Sequence, residues 1–438
     1  MSIINNINNI LWGGFLLLLL LFTGVYLTIG CRFLQFTHIK KITAETVGSF
    51  RKRKKSKEEV SPFAAMSAAL GGTIGTGNIA GVGLSIALGG AGSIFWMWVS
   101  ALICMIIKFA EVTLAVHFRE KSSNEYNGGP MYYIKNGLPK KFIPLATIFS
   151  VCCMLASFGI GNTAQINAVA NSVNDSMGIP AIYIGILMAL IAAPAIFGSA
   201  KKLTDITSKI VPIMALFYTA GIAAIIFINI NRLPFAFSEI FTESFGIKPL
   251  AGGAAGFTVA NMAKQGLARG IFTNEAGMGS APIIHAAAEN TPIKQGYWGI
   301  FEVVFDTLIM CTLTALAIIT SKAYINNKTI GGVLTGSAFK ESFGSTGGIF
   351  IAISLFLFAY GAIISWSFYG SKSLAFLNKN KTIEKSYKLL FCIFIIPGSI
   401  IGTQKIFAIS DMLNGFMIIP NIIAIILLSG VLFNLVKK

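Results

Sequence analysis

The sequence has few charges and few residues that bind metals or act as catalysts. Of its 438 residues, 12% are charged, whereas soluble domains carry about 25%. It has three histidines, and its six cysteines, which include the adjacent pair Cys152 and Cys153, show no metal-ligand spacing. We therefore predict buried, unpaired cysteines and no enzyme, because the sequence shows no nucleophile–base arrangement and no metal-ligand cluster.

Apolar residues dominate what remains. They make up 55% of the chain, the mean hydropathy is +0.74, and several runs reach the roughly 20 residues that cross a bilayer. A transmembrane barrel would alternate in segments of about ten residues, and no such alternation is found. We predict an all-α polytopic membrane protein with eleven transmembrane helices. Their expected ranges are 11–30, 61–88, 93–118, 142–172, 180–198, 206–230, 255–289, 297–320, 347–377, 387–402 and 407–434.

The positive charge is concentrated in one place. The formal net charge is +17, and nine Lys and Arg residues fall between Arg32 and Lys57. Such a cluster after a first span is typical of a cytoplasmic face close to anionic lipid, so nucleic acid is not an expected partner. We predict a cell-membrane protein with its N-terminus outside and its C-terminus in the cytoplasm. Residues 1–60 would form a transmembrane helix and basic cytoplasmic loop ahead of a membrane-embedded core, 61–434.

Two predicted spans are interrupted by glycine and polar residues, GGTIGTGNIAG at 71–81 and GIFTNEAGMGSAP at 270–282. Each glycine costs roughly 1 kcal/mol in a helix, and freed backbone groups cannot face lipid. A single stretch of this kind is typical of close helix packing. Without the first helix, however, the two interruptions open the two halves of a ten-helix core, which favours an inverted-repeat transporter with a midplane site. The repeats would be 61–230 and 251–402, with the final helix, 407–434, in the second repeat.

Ionisable residues inside spans are costly and are usually paired or functional. Lys108 and Glu111 are three residues apart, so we predict an ion pair between them on one helix face. Glu275 lies inside the second interruption, where it would either cap freed NH groups or face a substrate ammonium. His285 is predicted to be a packed helix residue and not a site residue.

A neutral polar residue, Gln165, is a further candidate from the run FGIGNTAQINAV. Its amide would hydrogen-bond either a substrate ammonium or carboxylate, or the neighbouring amides of Asn162 or Asn167 as a link between helices. Both possibilities remain open from the sequence.

The two interruptions also carry a family resemblance. The stretches GGTIGTGNIAGV and FTNEAGMGSAP resemble the signature of the alanine/glycine:cation symporter family, and the similarity covers essentially the whole chain. The resemblance implies a leucine-transporter-like fold with 5+5 inverted repeats, two broken helices and one additional N-terminal helix. It also implies sodium-coupled import of a small neutral amino acid, alanine or glycine, with Na⁺ as coupling ion and no other cofactor.

The same resemblance implies site residues. Carbonyls of Gly71 and Ile74 would hold sodium, and Trp366 would wall the pocket unless it is an interfacial belt residue. Further cation ligands are expected between Phe358 and Ser365. The implied substrate-binding set is Thr76, Gly77, Asn78, Gln165, Thr273, Gly277, Gly279, Ser280 and Trp366. The implied cation-binding set is Gly71, Thr73, Ile74, Asn78, Thr273 and Asp306, where Asp306, one turn after Glu302, has either a cation-binding or a structural role.

The predicted function is therefore sodium-coupled symport by alternating access around a fixed site. The alternatives are a proton-coupled symporter and a transporter-like amino-acid sensor. A channel is less consistent with the sequence, because channels usually need repeated subunits or a ring of identical filters.

Overall fold

The computed structural model describes residues 2–52, 60–122, 125–246, 259–326, 332–401 and 403–437. Three features of the sequence prediction lie outside these ranges: the start of the seventh span at 255, the end of the tenth at 402, and the basic residues at 53–57. All six cysteines are described and free, as predicted, but only four of them are buried, because Cys152 and Cys392 are partly exposed.

The described residues are mainly helical. The α-helices are Ser2–Ile10, Leu16–Gly30, Leu34–Thr37, Ile39–Glu45, Pro62–Thr73, Val82–Gly89, Ser93–His117, Pro130–Gly137, Ile143–Phe158, Ala164–Met177, Ala181–Ile196, Ala200–Ile228, Leu233–Ser244, Val259–Asn274, Ala281–His285, Pro292–Val303, Thr312–Thr320, Ala323–Asn326, Gly332–Phe343, Ser345–Leu377, Lys381–Gly398, Thr403–Leu427 and Ser429–Lys437. π-Helical turns cover Leu11–Phe15, Gly77–Gly81, Gly159–Thr163 and Val304–Cys311, and 3₁₀ turns cover Val47–Lys52, Lys140–Phe142 and Ile230–Arg232.

Seven helices among the described residues are long and apolar enough to cross a membrane. They are Ile3–Gly30, Ser93–His117, Lys140–Met177, Ala200–Ile228, Pro292–Thr320, Ser345–Leu377 and Ala408–Leu427. The other four predicted spans coincide with helices that are broken, shorter or more polar. The total of eleven spans therefore stays a prediction.

Both glycine-rich interruptions are breaks in helices. The first broken helix, Pro62–Thr73, is capped by Ser61, whose Oγ accepts a hydrogen bond from Ala64 N at 3.2 Å, and it ends at Thr73 because Ile74 is extended (ψ 94°). Helix resumes at Gly77–Gly81. The second helix, Val259–Asn274, ends where Glu275 adopts a left-handed conformation (φ 53°).

The Ser93–His117 helix lies between the second broken helix and the Pro292–Val303 helix and packs against both. The long Ser345–Leu377 helix packs against Pro62–Thr73, Ile143–Phe158 and Ala164–Met177. The two broken helices are thus held between long, continuous helices. This arrangement gives their freed backbone groups protein partners instead of lipid.

A small β-hairpin corrects the all-α prediction. Strands Glu120–Ser122 and Glu125–Asn127 pair antiparallel, with Glu120 opposite Asn127. Lys372 Nζ donates to Glu125 Oε2 at 2.8 Å and to Asn127 Oδ1 at 3.0 Å, which ties the hairpin to the end of the Ser345–Leu377 helix. These polar residues lie between membrane helices, where hydropathy gives no signal for a strand.

Candidate functional site

The two breaks face each other. A Cβ added at Gly77 would lie 3.3 Å from Thr273 Cγ2, so the first break and the end of the Val259–Asn274 helix are in van der Waals contact. Gly277 and Gly279 adopt left-handed backbone angles (φ 86° and 76°). Such angles favour glycine, because a side chain there is strained, and they explain the spacing of glycines in the second break.

A buried polar network links the breaks. Asn78 Oδ1 accepts from Gly75 N at 3.2 Å, while its Nδ2 donates to Asp306 Oδ1 at 2.7 Å. The other Asp306 oxygen accepts from Thr307 Oγ1 at 2.9 Å, and that hydroxyl accepts from Asn274 Nδ2 at 3.2 Å. Asp306 therefore joins Asn78 of the first break to Asn274 beside the second, through Thr307. A buried polar network of this kind is stabilising when its donors and acceptors are paired.

A cavity lies between the breaks and the helix that contains Gln165. Thr76 N donates to Gln165 Oε1 at 3.3 Å, and Gln165 Nε2 donates to Ile160 O at 3.0 Å. Gln165 thus satisfies a backbone NH freed by the first break, instead of bonding the Asn162 or Asn167 amide. The residues that line the cavity are Gly72, Thr73, Gly75, Thr76, Gly77, Ile160, Ala164, Gln165, Phe272, Thr273 and Glu275.

Glu275 is the acidic group of this cavity. Its Oε2 accepts from Ser280 Oγ at 2.6 Å and its Oε1 accepts from Trp366 Nε1 at 3.2 Å. Trp366 is fully buried, so it is not an interfacial belt residue, and it is not among the described lining residues. It reaches the cavity through the carboxylate of Glu275.

A different glutamate caps the second break. Glu111 Oε1 accepts from Gly279 N at 3.0 Å and from Asn421 Nδ2, while Asn421 Nδ2 also donates to Gly277 O at 2.8 Å. Asn421 Oδ1 accepts from Tyr133 Oη. Glu111 and Asn421 are therefore the site-supporting residues that sequence reasoning missed. An acid inside the Ser93–His117 span was the only available signal.

The predicted Lys108–Glu111 ion pair is wrong. Lys108 Nζ lies 3.2 Å from Glu302 Oε1, and His285 Nε2 lies 3.1 Å from Glu302 Oε2, with all three side chains fully buried. The reason is that Glu111 is occupied by the second break, whereas Lys108 faces the Pro292–Val303 helix. His285 is a packed residue as predicted, bonded also to Gln295 through Nδ1.

The first broken helix closely approaches the Ser345–Leu377 helix at a pair of glycines. A Cβ added at Gly361 would lie 3.2 Å from Gly71 O, and one added at Gly71 would lie 3.3 Å from Ser365 Oγ. Ser365 Oγ donates to Ala68 O at 2.7 Å. Gly361 and Ser365 are four residues apart, which places both on one helix face. This spacing was the sequence signal that could have identified them within the stretch from Phe358 to Ser365, where further cation ligands were expected.

The structure separates the predicted site residues into three groups. Thr73, Thr76, Gly77, Gln165 and Thr273 line the cavity, and Asn78 and Asp306 lie in the buried network beside it. The remaining predicted residues lie outside the cavity lining. Gly71 contacts the Ser345–Leu377 helix, and Ile74 directly follows the end of the first broken helix. Ser280 and Trp366 donate hydrogen bonds to Glu275, and Gly277 and Gly279 lie against neighbouring helices.

The model of the sodium:alanine symporter family matches residues 1–438. The chain belongs to the sodium:alanine symporter family. It is 36% identical over 449 residues to the sodium/alanine symporter AgcS of Methanococcus maripaludis, covering 100% of this chain and 98% of that relative. A Bacillus subtilis relative named "Probable sodium/glutamine symporter GlnT" is 37% identical, with 98% and 88% coverage.

Solved structures show the same fold for this symporter-family member. The crystal structure of MhsT in complex with L-phenylalanine overlays with a TM-score of 0.60 at 12% identity, covering 85% of this chain and 90% of that chain. The leucine-transporter-like fold is thus confirmed. The protein is a multi-pass membrane transporter and, as predicted, not an enzyme.

Proposed function

We propose that the protein imports alanine or glycine together with sodium by alternating access. The observation that carries this proposal is the cavity between two facing helix breaks, lined by Gly75, Thr76 and Gly77 of the first break on one side and by Glu275 on the other. A zwitterionic substrate needs an anion-binding and a cation-binding group at once. Breaks of this type supply them inside a membrane without an exposed backbone.

The two ends of the substrate are assigned to different walls. The backbone NH groups around Thr76 and Gly77, with Asn78 and Gln165 beside them, suit the carboxylate, because they lie where the first broken helix restarts. The Glu275 carboxylate and the Thr273 region suit the ammonium. Gly277, Gly279, Ser280 and Trp366 are proposed to shape the site from behind Glu275. The bulky Phe272 and Ile160 at the apolar wall support a small side chain.

Sodium is proposed to bind at two places as co-transported substrate. One is the approach of Gly71 to Gly361, where the Gly71 and Ile74 carbonyls, the Gly361 carbonyl and the Ser365 hydroxyl would provide the neutral oxygen ligands that hard cations prefer. The other contains Asn78 and Asp306, with Thr73 and Thr273 nearby. Sodium bound at the breaks would order them, and substrate would in turn raise sodium affinity.

We propose the topology that accompanies this function. Eleven spans would comprise an N-terminal helix and a 5+5 inverted repeat over 61–230 and 251–434, with residues 1–60 as a separate N-terminal unit. The N-terminus would lie outside and the C-terminus inside the cell membrane. The basic segment after the first span and the basic C-terminus, Lys437 and Lys438, support this orientation.

Proton coupling is the second candidate. It is favoured by one observation, namely that two buried carboxyl groups, Glu275 and Asp306, lie at or beside the cavity. Buried carboxyls inside spans are the residues that carry protons in pumps and transporters.

The experiment is uptake of tritiated L-alanine into proteoliposomes under an inward sodium, choline or proton gradient. We expect alanine to accumulate only under the sodium gradient. Accumulation only under the proton gradient would show proton coupling, the second candidate, instead of sodium coupling. Ser365→Ala is expected to raise the KM for sodium about tenfold. Ser367→Ala is the matched control, because its Oγ donates to Ile364 O within its own helix. An unchanged KM for sodium in Ser365→Ala would contradict the proposed ligand.

A further inference from the structure

The N-terminal helix, residues 2–30, has two parts with different surroundings. Its inner part, Leu16–Gly30, is anchored: a Cβ at Gly24 would lie 2.1 Å from Ile103 Cγ2, and Tyr26 Oη lies 2.9 Å from Ser429 Oγ. The outer part, Ser2–Phe15, which we call the outer arm, is joined to it through Gly14, whose backbone is non-helical (φ 160°, ψ −35°).

The glycines at this joint are unobstructed. Among the described residues, a Cβ added at Gly13 or Gly14 would meet no atom within 4 Å, so the space beside these two glycines is open. A π-helical turn, Leu11–Phe15, occupies the same position, and kinks of helices commonly occur at glycines and π-turns. The joint is therefore the point at which the outer arm can change its angle.

The outer arm holds the Thr403–Leu427 helix by side chain-to-backbone bonds. Trp12 Nε1 donates to Asp411 O at 3.0 Å, and Asn8 Nδ2 donates to Ala408 O at 2.7 Å. These bonds lie one helical turn apart on each partner. Two directional bonds fix the register between the arm and this helix.

Trp12 also touches the wall of the cavity. Its ring meets the ring of Phe272 edge to face, with centroids 6.3 Å apart and planes at 69°, a preferred aromatic geometry. Phe272 lines the cavity and directly precedes Thr273. Farther along the same helix, Leu20 contacts the second break, because a Cβ at Gly277 would lie 2.4 Å from Leu20 Cδ2.

We propose that the outer arm is a strap across the cavity and that Trp12 is its positioning residue. Through one indole side chain it joins the cavity wall at Phe272 to the main chain at Asp411, so the wall and the Thr403–Leu427 helix cannot separate while the arm is seated. Opening of the cavity on this side requires the arm to swing at Gly13 and Gly14. The strap's role in transport rests on the function proposed above.

The test measures access to the cavity without any cargo. A cysteine is placed in the lining by Ala164→Cys, and its labelling by a membrane-impermeant maleimide is timed in proteoliposomes, with reagent added on each side separately. Adding Trp12→Ala is expected to speed labelling roughly tenfold from the side of the N-terminus only. The chain without Ala164→Cys gives the background from native cysteines.

Two further variants keep the test sharp. Trp12→Phe retains a ring against Phe272 but lacks the indole NH, so an intermediate rate is expected, and it replaces Trp12→Ala if that variant does not fold. Phe15→Ala is the control, because Phe15 is an aromatic residue of the same arm and is 54% exposed. Wild-type labelling rates in both Trp12 variants would overturn the strap.

Alanine uptake then separates this inference from the proposed function. In Trp12→Ala the KM for alanine is expected to rise severalfold, because a cavity that opens more readily releases its substrate more readily. If wild-type protein accumulates no alanine while Trp12→Ala still accelerates labelling, the proposed function fails and the strap stands. If wild-type protein transports and Trp12→Ala matches it in both assays, the strap fails and the function stands.

Discussion

The buried ion pair between Lys108 and Glu302 offers a quantitative test of how the fold stabilises its charges. Glu302 uses both oxygens, one for Lys108 at 3.2 Å and one for His285 at 3.1 Å, and none of these side chains is exposed. Lys108→Met removes the cation and leaves the carboxylate with His285 alone. Removing one partner of a buried pair costs about 3–5 kcal/mol, so we expect a loss of that size in the free energy of unfolding.

Removing both charges should cost much less. Glu302→Gln alone leaves a buried ammonium and is expected to be as harmful as Lys108→Met, whereas the double variant has neither charge to bury. We expect the double variant to be more stable than either single variant, with a coupling energy of about 2 kcal/mol or more. The assay is denaturant titration of the purified protein in detergent, followed by intrinsic fluorescence and repeated for all four proteins of the cycle.

An exposed pair provides the control. Lys135 Nζ lies 2.8 Å from Glu120 Oε1, but both side chains are more than two-fifths exposed, at 44% and 41%. Lys135→Met is expected to cost less than about 1 kcal/mol. Additive losses from Lys108→Met and Glu302→Gln, or equal effects at the buried and exposed pairs, would refute the reasoning.

Two further predictions concern packing and pH. Gly161→Ala should lower stability by about 1–3 kcal/mol, because its Cβ would lie 2.2 Å from Trp366 Cβ, while Gly430→Ala, whose Cβ would meet no described atom within 4 Å, should not. Thermal unfolding with both variants decides this. Burial raises the pKa of Glu243 to about 7 from 4.5, with the Gly92 NH bond lowering it in part. A raised pKa stabilises the folded form below about pH 4.5 and that stabilisation is lost as the pH rises through about 7, so Glu243→Gln should flatten the stability profile over this range, and an unchanged profile would contradict it.

The two helix breaks could be predicted from local sequence alone. Glycines and polar residues at 71–81 and 270–282 indicate unwound backbone because they interrupt two apolar runs at corresponding positions, whereas one such stretch alone is typical of close helix packing. Pairing of the two interruptions gave the transporter class as well. Both inferences use only properties of one segment or of its position in the chain.

The role of Glu275 could not be predicted from local sequence. The sequence left open whether it caps NH groups or faces the cavity, and the structure has it at the cavity with Ser280 and Trp366 as donors. The capping role belongs to Glu111, which is 168 positions away from Gly279. The sequence pattern of neither segment indicates a contact between residues so far apart in the chain.

The sequence by itself determined a helical membrane protein, its two breaks and its family, because hydropathy, glycine content and motif spacing are local and the bilayer enforces them. The tertiary structure alone decided the partners: Lys108 with Glu302, Asn78 with Asp306, and Trp12 with Phe272. A helical period fixes which side chains share a face but not which neighbour that face meets. That choice depends on the packing of all the helices together.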